Sequence, residues 1–136
     1  MIQRVQTLYL GVASVMFVVA ASAMSRANPG AEPVATAGTM IASLLAAVSL
    51  ISVFLFANRP RQRQIVRWVG LAGIVLLLFL GLLVFSADRI GVVLAGEDGN
   101  LIVALLGSGV ALVLLFLAEA AIKKDIRLVK SMDRIR

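Results

Sequence analysis

Residues 101–118 read LIVALLGSGVALVLLFLA, a run with no ionisable side chain anywhere in it. The hydrocarbon core of a bilayer is about 30 Å thick and a helix rises about 1.5 Å per residue, so roughly 20 such residues cross it. Lipid offers no hydrogen bonds, so a lone apolar stretch must satisfy its backbone internally, as a helix. Working outward from this run, three other stretches meet the same standard. The expected spans are about residues 7–24, 37–57, 65–86 and 101–121, with a basic tail at 122–136. They fill one domain, 1–136, and define an all-α, polytopic membrane protein with four transmembrane helices in a compact antiparallel bundle.

The breaks between spans are marked by local chemistry. Arg4 and Arg26 bound the first run, and Asn28-Pro29-Gly30 separates it from the second. Asn58-Arg59-Pro60 closes the second, since Pro60 cannot continue a helix and biases Arg59 away from helical geometry. Gly99-Asn100 precedes the fourth, with Asp98 or Asn100 as its cap. A rival reading of the first run is a cleaved signal peptide, with Ala21-Ser22-Ala23 as the small-residue site. The run is longer than such an apolar region and has a single Arg before it, which favours a span.

Composition agrees. The chain of 136 residues is 61% hydrophobic and 15% charged, with no Cys and no His. Thiol and imidazole chemistry, disulfides and the usual zinc sites are excluded, and no cofactor is expected. The net charge of +6 raises nucleic acid as a partner. The basic residues flank apolar runs without interleaved aromatics for stacking, so anionic lipid is the expected counter-charge and nucleic acid is not.

Orientation follows from where Lys and Arg fall. Arg4, the group Arg59, Arg61, Arg63 and Arg67, and the tail residues Lys123, Lys124, Arg127, Lys130, Arg134 and Arg136 lie on one side; only Arg26 and Arg89 lie on the other. Both termini are thus expected in the cytoplasm of a bacterial inner membrane, with Tyr9 and Trp68 at the headgroups. Arg4, Arg59, Arg61, Arg63, Arg67, Lys123, Lys124, Arg127, Lys130 and Arg134 are the candidates for lipid headgroup or partner contact.

Membrane helices associate through the close approach that small residues permit. Gly11, Ser14, Ala21, Ser22 and Ser25 mark such a face on the first span, and Thr39, Ala42, Ala46 and Ser49 on the second. Gly70, Gly73 and Gly81 do so on the third, and Ala104, Gly107, Ser108 and Ala111 on the fourth. Of these, Gly11, Ser14, Ala42, Ala46, Gly70, Gly73, Gly107 and Ala111 are the packing candidates, serving the bundle itself or an oligomer seam. Leu77, Leu78, Phe79 and Leu80 are expected to face lipid or fill gaps. The segment 87–100 carries Asp88, Glu97 and Asp98, read as a solvated loop, with Ile90, Val93 and Leu94 suggesting an interfacial turn.

Beyond Ala118 the apolar period continues through Ile122, Ile126, Val129, Met132 and Ile135, so the fourth helix is expected to extend into the cytoplasm. Glu119, the first ionisable residue of that helix, stands four residues before Lys123, the favourable order for an ion pair.

The two ends carry a family likeness. Residues 1–10, MIQRVQTLYL, and the stretches AIKKD (121–125), LVKS (128–131) and DRIR (133–136) resemble a family of small four-helix membrane proteins from Bacteroidota-type bacteria, catalogued as a domain of unknown function. The chain departs from that pattern at Ile126, where the family tends to carry an acidic residue. The resemblance implies the four-helix fold and an inner-membrane address, with no activity or cofactor. It also suggests that the two ends pack together, Gln3, Arg4 and Gln6 facing Lys124, Asp125, Ser131 and Asp133, with Arg4 and Asp125 as a salt bridge.

The function expected from these residues is that of a non-enzymatic structural or accessory subunit of an inner-membrane assembly, bound to a larger complex or to itself. A small transporter or channel is the alternative. Small multidrug exporters share the size, but they depend on a Glu near the middle of the first helix, and this chain has none there.

Overall fold

The computed structural model describes residues 2–27, 33–85 and 99–133. Four long helices account for nearly all of them: α1 (Ile2–Arg26), α2 (Pro33–Phe54), α3 (Arg59–Phe85) and α4 (Gly99–Asp133). Each is long and apolar enough to cross a membrane. The loop read at 87–100 lies outside the described residues except for Gly99 and Asn100, which already belong to α4.

Contacts along the helices give the register. Ser14 meets Ala46, and Met24 packs on Gly38, so α1 and α2 run antiparallel. Gln62 reaches Ser52 while Phe79 reaches Gly38, which reverses α3 against α2. Gly73 faces Leu112 and Arg59 faces Asp125, setting α4 antiparallel to α3. Gly107 lies against Met16 and Ala20, closing the ring between α4 and α1. The bundle is therefore up-down-up-down, with neighbours in chain order around its axis.

Small residues decide how near the helices come. The position a Cβ would take at Gly107 is 3.4 Å from the Met16 carbonyl oxygen, so the α4 backbone rides on that of α1. At Gly73 the same position is 2.7 Å from Leu112 Cδ2 and 3.4 Å from Phe17 Cζ, which lets two large side chains meet over a bare Cα. At Gly38 it would collide with Met24 Cε and lie 2.8 Å from Phe79 Cε1. Ala13, Ala42, Ala104, Ala111 and Ala118 are fully buried between these points, with Leu10, Phe17, Leu76, Leu80 and Leu115 filling the axis. Leu80 is thus core and Phe79 covers Gly38, whereas Leu78 is 65% exposed; only Leu78 of that quartet takes an open outward place. A helix has a core-facing stripe, and four consecutive residues must divide between the two sides.

Outward positions are apolar as well. Met40, Leu44, Phe54, Val75, Leu82 and Phe85 are among the exposed large hydrophobics, an arrangement suited to lipid and costly in water.

The α2–α3 junction departs from the sequence expectation. A 3-10 turn, Leu55–Ala57, extends α2, and Asn58 with φ −121° and ψ 67° is the break. Arg59 is already helical, and Pro60 sits in the first turn of α3. There its missing N–H removes nothing, because first-turn N–H groups lack intrahelical acceptors. The first bond of α3 runs from Gln62 N to Asn58 O at 3.0 Å. Arg59, Arg61 and Arg63 are consequently helical residues with fixed directions, not loop residues.

Candidate functional site

Apart from Ser14 and Ser108, the buried polar residues described gather towards one end, where the N-terminus of α3 meets the C-terminal half of α4. The end of α2 supplies the first reason. Its last carbonyls have no intrahelical donor, and Gln62 Nε2 donates to Ser52 O at 3.0 Å, tying α2 to α3. Gln62 is 1% exposed, and Gln6 of α1, Ser49 and Ser52 of α2 are buried too. Ser52 Oγ donates back to Ser49 O, while Gln6 Nε2, Ser49 Oγ and Gln62 Oε1 have no hydrogen bond among the described residues.

The second reason is a ladder of arginines. Arg59, Arg63 and Arg67 stand four residues apart on α3, one above another along one side of the helix. All three meet carboxylates of α4. Arg59 Nε lies 3.0 Å from Asp125 Oδ2, in an ion pair whose approach is off the hydrogen-bond line. Arg63 Nε and Arg67 Nη2 lie 3.5 and 3.4 Å from the same oxygen, Glu119 Oε1. Asp125 is buried, and the pairing with Arg59 is what makes a carboxylate there tolerable.

One expected pair is corrected by this geometry. Glu119 turns across to α3 and not along its own helix to Lys123, which is exposed. Two guanidinium groups on a facing helix offer a nearer positive field than one flexible ammonium on a solvated face. Asp125 pairs with Arg59, and the expected partner Arg4 lies outside the described side chains, as do Gln3 and Asp133. Gln6 is buried as a packing between the ends requires, while Lys124 and Ser131 are exposed, and Ser131 Oγ donates to Leu128 O of its own helix.

The remaining headgroup candidates divide by direction. Arg61, Lys123, Lys124, Arg127 and Lys130 are exposed, and Arg134 lies outside the described residues. Among the packing candidates, Ser14, Ala42, Ala46, Gly73, Gly107 and Ala111 are buried at the helix contacts. Ser14 Oγ donates across the interface to Ala46 O at 3.0 Å. Gly11 and Gly70 differ: a Cβ at either would meet no heavy atom within 4 Å. Ser22 and Ser25, read on the same small face as Ser14, are exposed, and Ser22 bonds Val19 O of its own helix.

Two adjoining clefts open beside the arginine ladder. One, of about 220 Å³, lies between α3 and α4 and is lined by Val66, Arg67, Gly70, Leu71, Ile74, Leu115, Phe116 and Glu119. The other, of about 390 Å³, is lined by Pro60, Arg63, Gln64, Arg67, Trp68 and Leu71. They share Arg67 and Leu71, so a polar mouth on α3 adjoins a mainly apolar cleft between α3 and α4. Sequence reasoning found the arginines but not the groove. Among the described residues no group of His, Cys, Asp or Glu is placed to hold a metal ion.

Four helices, each long and apolar enough to span a membrane, close around one core whose charged residues, among those described, lie at one end; they define a multi-pass membrane protein of four-helix-bundle type. The chain belongs to the family described as Domain of unknown function (DUF4293), whose model matches residues 19–135. That match includes most of the C-terminal stretches on which the likeness was read and leaves out residues 1–10. No curated protein and no solved structure matches the chain.

Proposed function

We propose that this protein is a non-enzymatic accessory subunit of a bacterial inner-membrane assembly, both termini cytoplasmic, which presents the arginine end of its bundle to a partner and to anionic lipid. The observation that carries the reading is the separation of charge at that end. Arg59, Arg63 and Arg67 pair with carboxylates of α4, while Arg61, Lys123, Lys124, Arg127 and Lys130 are exposed and make no such pair among the described residues. The first set ties α3 to α4, and the outer set makes no such tie. The positive-inside rule puts this basic end in the cytoplasm. Helix α4, 35 residues and about 52 Å long, exceeds the hydrocarbon thickness and carries the outer set beyond it.

The test is gentle detergent extraction with identification of what travels with the chain. A companion membrane complex recovered with the wild type, and lost when Lys123, Lys124 and Arg127 are changed to Glu, supports the reading. Recovery of the bare chain across several mild detergents counts against it. A small transporter is the second reading, favoured by the buried Gln6, Ser49, Ser52 and Gln62. Solute flux in proteoliposomes, abolished by Gln62→Leu, would put it first.

A further inference from the structure

We propose that the groove between α3 and α4 holds one anionic phospholipid, with its phosphate on Arg63 and Arg67 and an acyl chain lying over Gly70. This rests on the reading above only in taking the arginine end as the headgroup level of the bilayer.

Charge is the first argument. Arg63, Arg67 and Glu119 together carry one net positive charge, which a phosphodiester cancels. Both guanidinium groups lean on a single carboxylate oxygen at 3.5 and 3.4 Å. Tight charge-assisted bonds are shorter, about 2.7 to 2.9 Å, so Glu119 positions the arginines without using up their donors. Arg63 and Arg67 both line the wider of the two clefts, and their side chains are 31% and 59% exposed. An acceptor arriving from the groove meets both.

Shape is the second. Below the arginines the cleft is apolar, walled by Leu71, Ile74, Leu115 and Phe116. Its floor is Gly70, where a Cβ would meet no heavy atom within 4 Å. The other helix-contact glycines differ, since large side chains or backbone fill the space over Gly38, Gly73 and Gly107. Gly70 therefore leaves a trough that nothing in the chain occupies, continuous with the charged mouth through Arg67 and Leu71. Exposed Trp68 beside the mouth suits the headgroup level. A free phosphate would satisfy the arginines but leave the apolar trough without purpose, which points to a lipid.

The experiment counts lipids retained by the full chain in native mass spectrometry from neutral detergent, after equal additions of dioleoyl-phosphatidylglycerol or dioleoyl-phosphatidylcholine. The wild type is expected to keep one phosphatidylglycerol where it keeps no phosphatidylcholine. Arg67→Gln should weaken that retention about fivefold, the weight of one arginine at an anionic surface. Gly70→Leu should reduce it to the phosphatidylcholine level. Gly81→Leu, on the same helix and with equally open space, should match the wild type. Equal retention of the two lipids, Gly70→Leu behaving like Gly81→Leu, or displacement of the lipid by inorganic phosphate would each overturn the proposal. If circular dichroism shows that Gly70→Leu has lost helix, Arg67→Gln decides, and unchanged retention there overturns it. Labelling of a Lys130→Cys variant from the far side of the membrane would refute the cytoplasmic assignment above and leave this lipid result standing.

Discussion

The middle of the bundle and its arginine end are held by different means. In the middle, Phe17 is wholly buried and reaches Gly73, Leu112 leans on that same glycine, and α4 rides on the α1 backbone at Gly107. No charge takes part. At the arginine end the contacts are polar: Gln62 on a carbonyl of α2, Arg59 beside Asp125, Arg63 and Arg67 beside Glu119. In lipid, apolar surface gains little by leaving apolar solvent, so helix pairing must come from shape or from polar contact. This chain uses shape at depth, where an unmatched polar group is most costly, and polar contact where water and headgroups are near.

That contrast can be broken from either side. The largest effect is expected from Phe17→Ala. It empties a wholly buried position and should cost about 3 kcal/mol or more through lost contacts and an unfilled cavity, measured as unfolding free energy in bicelles. A loss below about 1 kcal/mol would mean that the middle is not held by shape. Next comes Asp125→Asn, expected to cost about 2 kcal/mol because Arg59 stays behind only partly exposed. The double variant with Arg59→Gln should recover part of that loss, and additive single effects would show that the pair is not coupled. The smallest is Ser14→Ala, which removes one hydrogen bond between helices in the apolar middle. About 0.6 kcal/mol is expected, in keeping with such bonds in membrane bundles. A cost above that of Asp125→Asn would reverse the comparison.

Much of the fold was legible because lipid simplifies the code. A span without charge has one available structure, and the four helices follow from run length alone. Small residues at Ser14, Ala42, Ala46, Gly107 and Ala111 also pointed at the contacts, since helices approach only where side chains are short. Gly38 escaped that reading although α1 and α3 both press on it, because which glycine lies under a Met or a Phe depends on tertiary register. Ser22 and Ser25 show the converse, for small size alone does not select a face.

The arginine end was half legible. Its residues stood out by charge, but taking Asn58-Arg59-Pro60 as a loop hid the four-residue spacing of Arg59, Arg63 and Arg67. Had Pro60 been placed in a first helical turn, the ladder and its need for facing acids would have followed. Gln62 was hidden likewise: it begins the buried row that continues through Val66, Val69, Gly70 and Gly73, a pattern visible only once α3 starts before it. The cleft over Gly70 had no sequence signal at all, because an unfilled space is a property of neighbours.

The junction between α2 and α3 has a bearing on how the molecule is assembled. The 3-10 turn and Asn58 are four residues, a tether of at most about 14 Å, against the 8 to 10 Å that separates packed helix axes. The two helices are thus covalently confined to one another's company from the moment both have been synthesised, and they enter the bilayer as a hairpin. Their adjacency needs no mutual attraction. The pairing of α1 with α4, far apart in the chain, has no such short tether, so the backbone fit at Gly107 must supply what connection supplies between α2 and α3.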